Sequence, residues 1–286
     1  PRTYWLAECY GEWDLVFSHL AYTPQEFYDF QDKLFSNFKD IIVEFNVYTL
    51  VNYWWFPKKH LLGSKWEDEW RNSIQLTKSG GERPQNSTRG WSFETPEFTF
   101  GTTPGHYKLD EMEYRLIDLL GNNSRLSCTE LAQILNSSPS IVKYRLDKLI
   151  QLGIVAGFRV DIDRSALGMS LYKVMVHLRD YDVQKELEFR EFCRKHPNIS
   201  CYIQQLGNCK IEFEVEAKDQ NEFNAIIDEV KERFSKHIKY MSPLTVRRDY
   251  HHRLKCLSFY PGFKESKKVN LSVECKAGME YIANSR

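Results

Sequence analysis

The stretch that decides the fold is Ile199–Ile238, ISCYIQQLGNCKIEFEVEAKDQNEFNAIIDEVKERFSKHI. Two β-branched runs, Ile199–Leu206 and Cys209–Ala217, flank Gly207-Asn208, a dipeptide that suits a tight hairpin. The second run alternates strictly. Ile211, Phe213 and Val215 share one face, and Lys210, Glu212, Glu214 and Glu216 the other. Asp219 then stands as an N-cap before a helix over 220–237, with Phe223, Ile226, Ile227, Val230 and Phe234 along one stripe. Working outward, Leu171–Leu178 reads as a strand, Val183–His196 as a helix and Ile238–His251 as a last strand. The order βαββαβ is the ferredoxin-like split arrangement: an antiparallel sheet with both helices on one face. Its other face calls for a partner, so dimerisation through the sheet is expected.

Shifting the chain by 196 residues lays Gly11–Thr49 over Gly207–Thr245 without a gap. Gly11/Gly207, Phe17/Phe213, Phe27/Phe223, Phe38/Phe234, Ile42/Ile238 and Thr49/Thr245 are among the coincidences, and the apolar pattern agrees in Leu15/Ile211 and Leu34/Val230. A first, incomplete copy follows from this. Its strands are expected at Thr3–Tyr10 and Trp13–Ala21, its helix at 24–39 and its last strand at 41–56, with strand one and helix one missing. The half-copy, and Pro1 in place of Met, lead to the expectation that the natural polypeptide extends upstream; the alternative is completion by another segment. Pairing of the two copies within one chain is a further expectation.

Between the copies, 109–160 reads as three short helices and a wing. Leu109, Met112, Leu116 and Leu119 have helical spacing, and Ser127-Cys128-Thr129-Glu130 is a capping box. Asn136-Ser137-Ser138 turns the chain, Pro139 suits the first helical position, and Gly153 suits a C-terminal cap. Ile154–Val160 then reads as a strand or wing. With Val142, Leu146 and Leu149 inward on the third helix, Ser140, Tyr144, Asp147 and Gln151 point out, flanked by Lys143 and Lys148, with Arg145 at the edge. Polar groups that reach base edges, framed by cations for phosphates, are what a DNA-reading helix needs. Ser138, Ser140, Lys143, Tyr144, Arg145, Asp147 and Lys148 are therefore the candidate DNA-binding residues. The competing readings are a winged helix used for protein contacts, and Arg145 as a solvated cation at the core's edge.

The motifs Leu109-Asp110, Asn123-Ser124-Arg125, Glu130-Leu131-Ala132, Arg145-Leu146, Leu152-Gly153-Ile154 and Leu167-Gly168 resemble those of the Lrp/AsnC feast/famine transcription regulators. The resemblance covers about 109–252, and 3–56 resemble a second, incomplete regulatory domain. It implies an α+β protein in which a winged helix-turn-helix precedes a ferredoxin-like regulatory domain, itself preceded by a partial copy. Boundaries are expected at 1–63 for the partial copy, 64–107 for a linker, 108–165 for the DNA-binding domain, 166–257 for the sensing and dimerisation domain, and 258–286 for a tail. It also implies double-stranded DNA as partner, self-association through the regulatory sheets, and an amino acid or related small metabolite as effector near Gly207 and Asn208. Where the family's hairpin carries an acidic residue, this chain has Lys210 in the second copy and Asp14 in the first.

Composition sets outer limits. At 42% hydrophobic and 27% charged residues, the chain is neither disordered nor membrane-embedded. The 39 basic and 39 acidic side chains balance, which excludes a globally basic nucleic-acid coat but not a local basic face. Seven cysteines without a Cys-x-x-Cys pair give no zinc ribbon or thioredoxin motif and suit a reducing cytoplasm. No metal or cofactor and no catalytic motif are expected. An enzyme alternative remains from resemblance to sirohaem decarboxylases, with Arg247, Arg248, His251 and His252 toward a tetrapyrrole. So does a metabolite-binding relative that does not bind DNA. Tyr53-Trp54-Trp55-Phe56 reads as either a base-stacking surface or a strand end packed in the protein.

Overall fold

The computed structural model describes residues 3–21, 23–61, 98–100, 107–158 and 162–251. Most of the expected linker, the tail after 251, His252, Cys256 and Cys275 lie outside the described residues. The described residues divide into two compact units, those of 108–145 in one and the rest, up to 107 and from 146 on, in the other.

The helical unit is built on its caps. Asp110 opens α2 (Glu111–Asn122) with a reciprocal capping box: its carboxylate accepts from the Glu113 N–H, and the Glu113 carboxylate accepts from the Asp110 N–H. Ser127 opens α3 (Cys128–Ile134) in the same way with Glu130. Asn136, at φ +49°, turns the chain into α4 (Pro139–Gln151). Leu116, Leu120, Leu131, Ala132, Leu135 and Val142 are buried along the inward faces. Gly153 ends α4 at φ +70°, as a left-handed C-terminal cap requires, and the Ile154 and Val155 N–H groups both donate to the Leu149 carbonyl. No strand forms over the described 154–158, and the first two of these residues spend their N–H groups on capping the helix.

The second copy folds as expected: β5 (Ser170–Leu178), α5 (Val183–Lys195), β6 (Ile199–Leu206), β7 (Ile211–Ala217), α6 (Gln220–Phe234) and β8 (Ile238–His251). The face bearing Val174, Phe213 and Val215 packs with Phe189, Phe223, Val230 and Phe234 into one continuous core. The first copy supplies β1 (Thr3–Gly11), β2 (Leu15–His19), α1 (Pro24–Phe38) and β3 (Thr49–Trp55), and β4 is Phe98–Phe100.

All these strands join one antiparallel sheet in the order β2-β1-β8-β5-β7-β6-β3-β4. The copies exchange edges. Strand β1 of the first pairs with β8 of the second, and β6 of the second pairs with β3 of the first. The 196-residue offset carries one pairing onto the other. Tyr10↔Thr245 corresponds to Leu206↔Thr49, Ala7↔Asp249 to Ile203↔Tyr53, and Trp5↔His251 to Cys201↔Trp55. The register shift falls at the same place, between Glu8 and Cys9 in one and between Leu50 and Asn52 in the other. The two copies are thus related by an internal two-fold, with the reciprocal contacts of an isologous dimer on a single chain.

The last strand of the first copy is shorter than the expected 41–56. It begins at Thr49, and residues 42–48 belong to no strand. Their counterparts 238–244 are strand because β5 pairs with them; the first copy has no such strand among the described residues.

Candidate DNA-reading helix and hairpin site

On α4 the Ser138 hydroxyl accepts from the Ile141 N–H at 3.3 Å, and Pro139 occupies the first turn, so this helix starts where the sequence predicts. Ser140, Lys143, Tyr144 and Asp147 are exposed, Tyr144 by 68%. Ser140 lies three and four residues before Lys143 and Tyr144, and Asp147 four and three residues after them, so the four share a face. Val142 and Leu149 are fully buried on the opposite stripe. Ile141 stands 48% exposed beside Ser140, an apolar group on the outer face that polar-residue scanning passes over.

The two remaining cations are tied down. The Arg145 guanidinium pairs with Asp110 and lies 3.5 Å from the Glu113 carboxylate, which is itself 2% exposed. Burial alone would raise the Asp110 carboxyl. The Glu113 N–H and the Arg145 guanidinium outweigh it and hold Asp110 below the ordinary aspartate range. Lys148 donates to the Tyr107 hydroxyl at 2.9 Å and sits 4.7 Å from the centre of that ring. Arg145, Asp110 and Glu113 therefore fix how α4 leaves the start of α2. The capping box of Asp110 and Glu113 went unread in the sequence, although its Asp-x-x-Glu spacing is a local signal; their grip on Arg145, 35 positions on from Asp110, has none.

Gly207 has φ +136°, and a methyl group placed on it would lie 2.7 Å from Tyr48 Cδ1 and 3.4 Å from the Val47 carbonyl oxygen. Gly11, also at φ +136°, would bring a methyl group 2.7 Å from the Pro243 carbonyl oxygen and 2.9 Å from Leu244 Cδ2. Val47 and Tyr48 are the counterparts of Pro243 and Leu244. Each hairpin glycine is thus pressed against the last segment of the opposite copy, and space as well as φ restricts the position to glycine. Around the second hairpin, His177 stacks on Tyr240 at 4.1 Å, and burial lowers its imidazole while Glu12 opposes the shift. The backbone of Asn208 hydrogen-bonds to His177, and burial raises the nearby Tyr48 hydroxyl.

The glutamate face of β7 is not solvated. Glu212, Glu214 and Glu216 are 5%, 7% and 1% exposed. Lys173 of β5 pairs with Glu212 and, at 2.7 Å, with Glu214, and lies 4.6 Å from the Trp5 ring of the first copy. Burial opposes the lysine's charge, but the two carboxylates outweigh it and raise its pKa. Burial also raises the Glu212 carboxyl, against the pull of Lys173. Glu216 meets Lys58, His60 at 3.2 Å and Arg164 at 3.7 Å, and Arg164 pairs with Asp249. Leu171, Met175, Leu244 and Val246 complete this face with Ala7 and Cys9 of the first copy.

Of the enzyme candidates, Arg247 lies 3.3 Å from Glu8 and Arg248 donates to the Tyr250 hydroxyl at 3.1 Å, while His252 is outside the described residues. Trp54 packs on Tyr202 at 5.6 Å with Arg190 over its ring, and Phe56 is buried in the core, so the aromatic run is a packed strand end. Among the described residues, no group of three or more His, Cys, Asp or Glu is placed to hold a metal ion, and no helix is long and apolar enough to cross a membrane.

Residues 109–156 match the winged helix-turn-helix DNA-binding family. Uncharacterised HTH-type transcriptional regulators of Pyrococcus horikoshii and Pyrococcus abyssi are similar to this chain. The first is 39% identical over 69 residues, 24% of this chain and 47% of its own length. The second is 36% identical over 72 residues, 25% of this chain and 49% of its own length. The chain thus spans about half the length of these two relatives. The HTH-type transcriptional regulator LrpC of Bacillus subtilis is 29% identical over 107 residues, 35% of this chain and 74% of its own length. These relatives are named as regulators, not as enzymes.

Proposed function

We propose that this chain, a winged helix-turn-helix protein of the Lrp/AsnC type, is a sequence-specific DNA-binding transcriptional regulator. One observation carries the reading: the outer face of α4 offers Ser140, Ile141, Lys143 and Tyr144 to solvent, while its inner face is buried and its edge is held through Arg145. In this reading α4 enters the major groove. Lys143 serves phosphate, Ser140 and Tyr144 meet base edges, and Ile141 offers an apolar contact for a thymine methyl. Ser138 and the helix start lie where a phosphate is best received. Arg145 and Lys148 act as positioning residues, and Asp147 lowers non-specific affinity. Residues 108–165 form the reading domain.

The sheet of 166–257 is the regulatory part, with Gly207 and Asn208 at the hairpin where an amino acid or related small metabolite would act. Holding both copies on one polypeptide replaces a bimolecular association with a high effective concentration. The described residues carry one reading head, so self-association of the chain would be needed to occupy two half-sites.

The test is retention of genomic fragments by the full chain at physiological salt, followed by sequencing, with Lys143→Ala and Tyr144→Ala variants alongside. Enrichment of a few upstream regions, lost with Tyr144→Ala and weakened across all fragments with Lys143→Ala, supports the reading. Retention no better than bulk DNA refutes it.

A further inference from the structure

Among the described residues five glutamates are buried, and four of them are met by a cation. Glu113 lies 3.5 Å from Arg145, Glu212 and Glu214 share Lys173, and Glu216 meets Lys58 and Arg164. Glu186 of α5 is the exception. It is 4% exposed, its Oε1 accepts from the Tyr202 hydroxyl at 2.6 Å, and its Oε2 has no partner among the described residues. The nearest cations along α5 are engaged elsewhere. Lys185 pairs with Glu188 at 2.9 Å, and the Arg190 guanidinium lies 4.5 Å from the centre of the Trp54 ring. A carboxylate withdrawn from water with one hydroxyl for partner is costly, and the cost falls when a cation reaches it.

Glu186 lines a depression of about 280 Å³, counted to its open mouth, where β5 gives way to α5 and α6 to β8. Its floor is apolar, formed by the buried Phe189, Ile211, Phe234 and Ile238. Its enclosed part has room for about one water-sized group. The exposed Asp180 and Asp182 line its rim. Asp182 Oδ1 caps α5 by accepting from the Gln184 and Lys185 N–H groups, which leaves Oδ2 to the rim. We propose that this depression binds a primary ammonium carried on a short aliphatic stem, the head on Glu186 Oε2 and the stem along Phe189 and Phe234. Three carboxylates against a lysine already paired select a cation. The apolar floor selects a stem, and an N–H donor completes the one open oxygen directly. Calcium or magnesium asks for six or more oxygen ligands, and no three of these carboxylates are placed to hold a metal ion. Neither Gly207 nor Asn208 lines the depression, and the inference does not rest on the DNA-reading proposal.

The experiment follows the methyl signals of Leu178, Ile211 and Ile238, which line the depression, by NMR of the full chain during titration with n-butylammonium chloride at constant ionic strength. The expected result is a saturable shift confined to these methyls. Glu186→Gln, whose amide oxygen still accepts from Tyr202, should weaken binding by about ten-fold or more. Asp182→Asn, which still caps α5, should weaken it by about three-fold or less, because an exposed carboxylate is screened by solvent. No saturable shift overturns the proposal. So do equal shifts with sodium chloride or with n-butanol, an unchanged affinity in Glu186→Gln, and a larger loss in Asp182→Asn than in Glu186→Gln. Should Glu186→Gln disturb the fold, seen as displaced methyl signals far from the depression, the unaltered chain decides. n-Butyltrimethylammonium has the same charge and stem without an N–H donor. Its failure to bind where n-butylammonium binds supports the site, and equal binding overturns it.

Discussion

Replacing the two hairpin glycines by alanine measures the cross-copy contact from both sides. At φ +136° an L-residue leaves the allowed regions, which costs about 1–3 kcal/mol. The added methyl then meets the opposite copy. For Gly11→Ala the obstacle is a backbone oxygen at 2.7 Å inside the β1–β8 ladder, which cannot move without breaking Gly11↔Leu244 pairing. A further 1–3 kcal/mol, roughly, follows from overpacking. For Gly207→Ala the nearest atoms belong to the Tyr48 ring, which can tilt away. Against both stands a gain of about 0.4–1 kcal/mol from a stiffer unfolded chain. Net losses of about 2–5 kcal/mol for Gly11→Ala and about 1–3 kcal/mol for Gly207→Ala result. Urea unfolding, followed by tryptophan fluorescence from the sheet and by circular dichroism, gives both values. The pair Gly207→Ala with Tyr48→Ala completes a cycle in which truncating the ring should return about 1 kcal/mol or more of the Gly207→Ala loss. A loss below about 0.5 kcal/mol for Gly11→Ala would refute the exchanged-edge arrangement, since that size belongs to an unconstrained surface site. Purely additive losses at Gly207 and Tyr48 would refute the contact between them.

Four other outcomes are expected. Arg145→Met strands the buried Glu113 carboxylate and should lower stability by about 1–3 kcal/mol, read by thermal melting, with Arg145→Lys restoring only part because a compact ammonium does not reproduce the fixed fork of donors of the guanidinium. Asp110 is held below its unfolded value, so its contribution is present above about pH 4 and is lost as pH falls through the lower folded value. Asp110→Asn should flatten the acid limb of the stability profile; an unchanged limb would count against the pairing. Lys173→Met leaves two carboxylates facing each other in a buried site and should cost about 3–5 kcal/mol. Glu212→Gln, by contrast, removes the charge that burial disfavours. The folded pKa of Glu212 is raised, so its ionised form loses stability as pH rises through that value, and the variant should gain relative to the parent at higher pH.

Much of this could be read from the chain because the informative signals are local. The Ser127 capping box, Pro139 at a helix start and Gly153 at a helix end are local signals, and each fell where the spacing put it. The 196-residue offset was likewise visible, since a repeat needs no knowledge of contacts. The edge exchange was not. A period of two tells which residues share a face but not which strand lies alongside, so β1 gives no sign that it will join β8. For the same reason the face bearing the glutamates of β7 could be expected to need a partner without showing which, and side chains of the first copy such as Trp5 and Tyr48 help to bury it. Residues 41–48 have strand composition, yet strand formation depends on a neighbour. On α4 the exposed polar face was legible from the helical period, whereas Arg145 was placed at an edge without its partners.

The internal two-fold relates backbones, not side chains, and that frees the protein from a constraint every symmetric dimer obeys. In a dimer of identical chains any substitution at the interface appears twice, so a charge that suits one side must be tolerated on the other. Here the counterparts of Glu212 and Glu214 are Val16 and Ser18, and the counterpart of Trp5, which covers Lys173, is Cys201. One copy holds a buried ionic cluster while the other holds Val16 and Ser18 at the equivalent positions. The two hairpins, one with Glu12 and Asp14 and the other with Asn208 and Lys210, are correspondingly free to drift apart in chemistry. A single gene thereby acquires the latitude of a heterodimer, in which one half can keep a role while the other loses or replaces it.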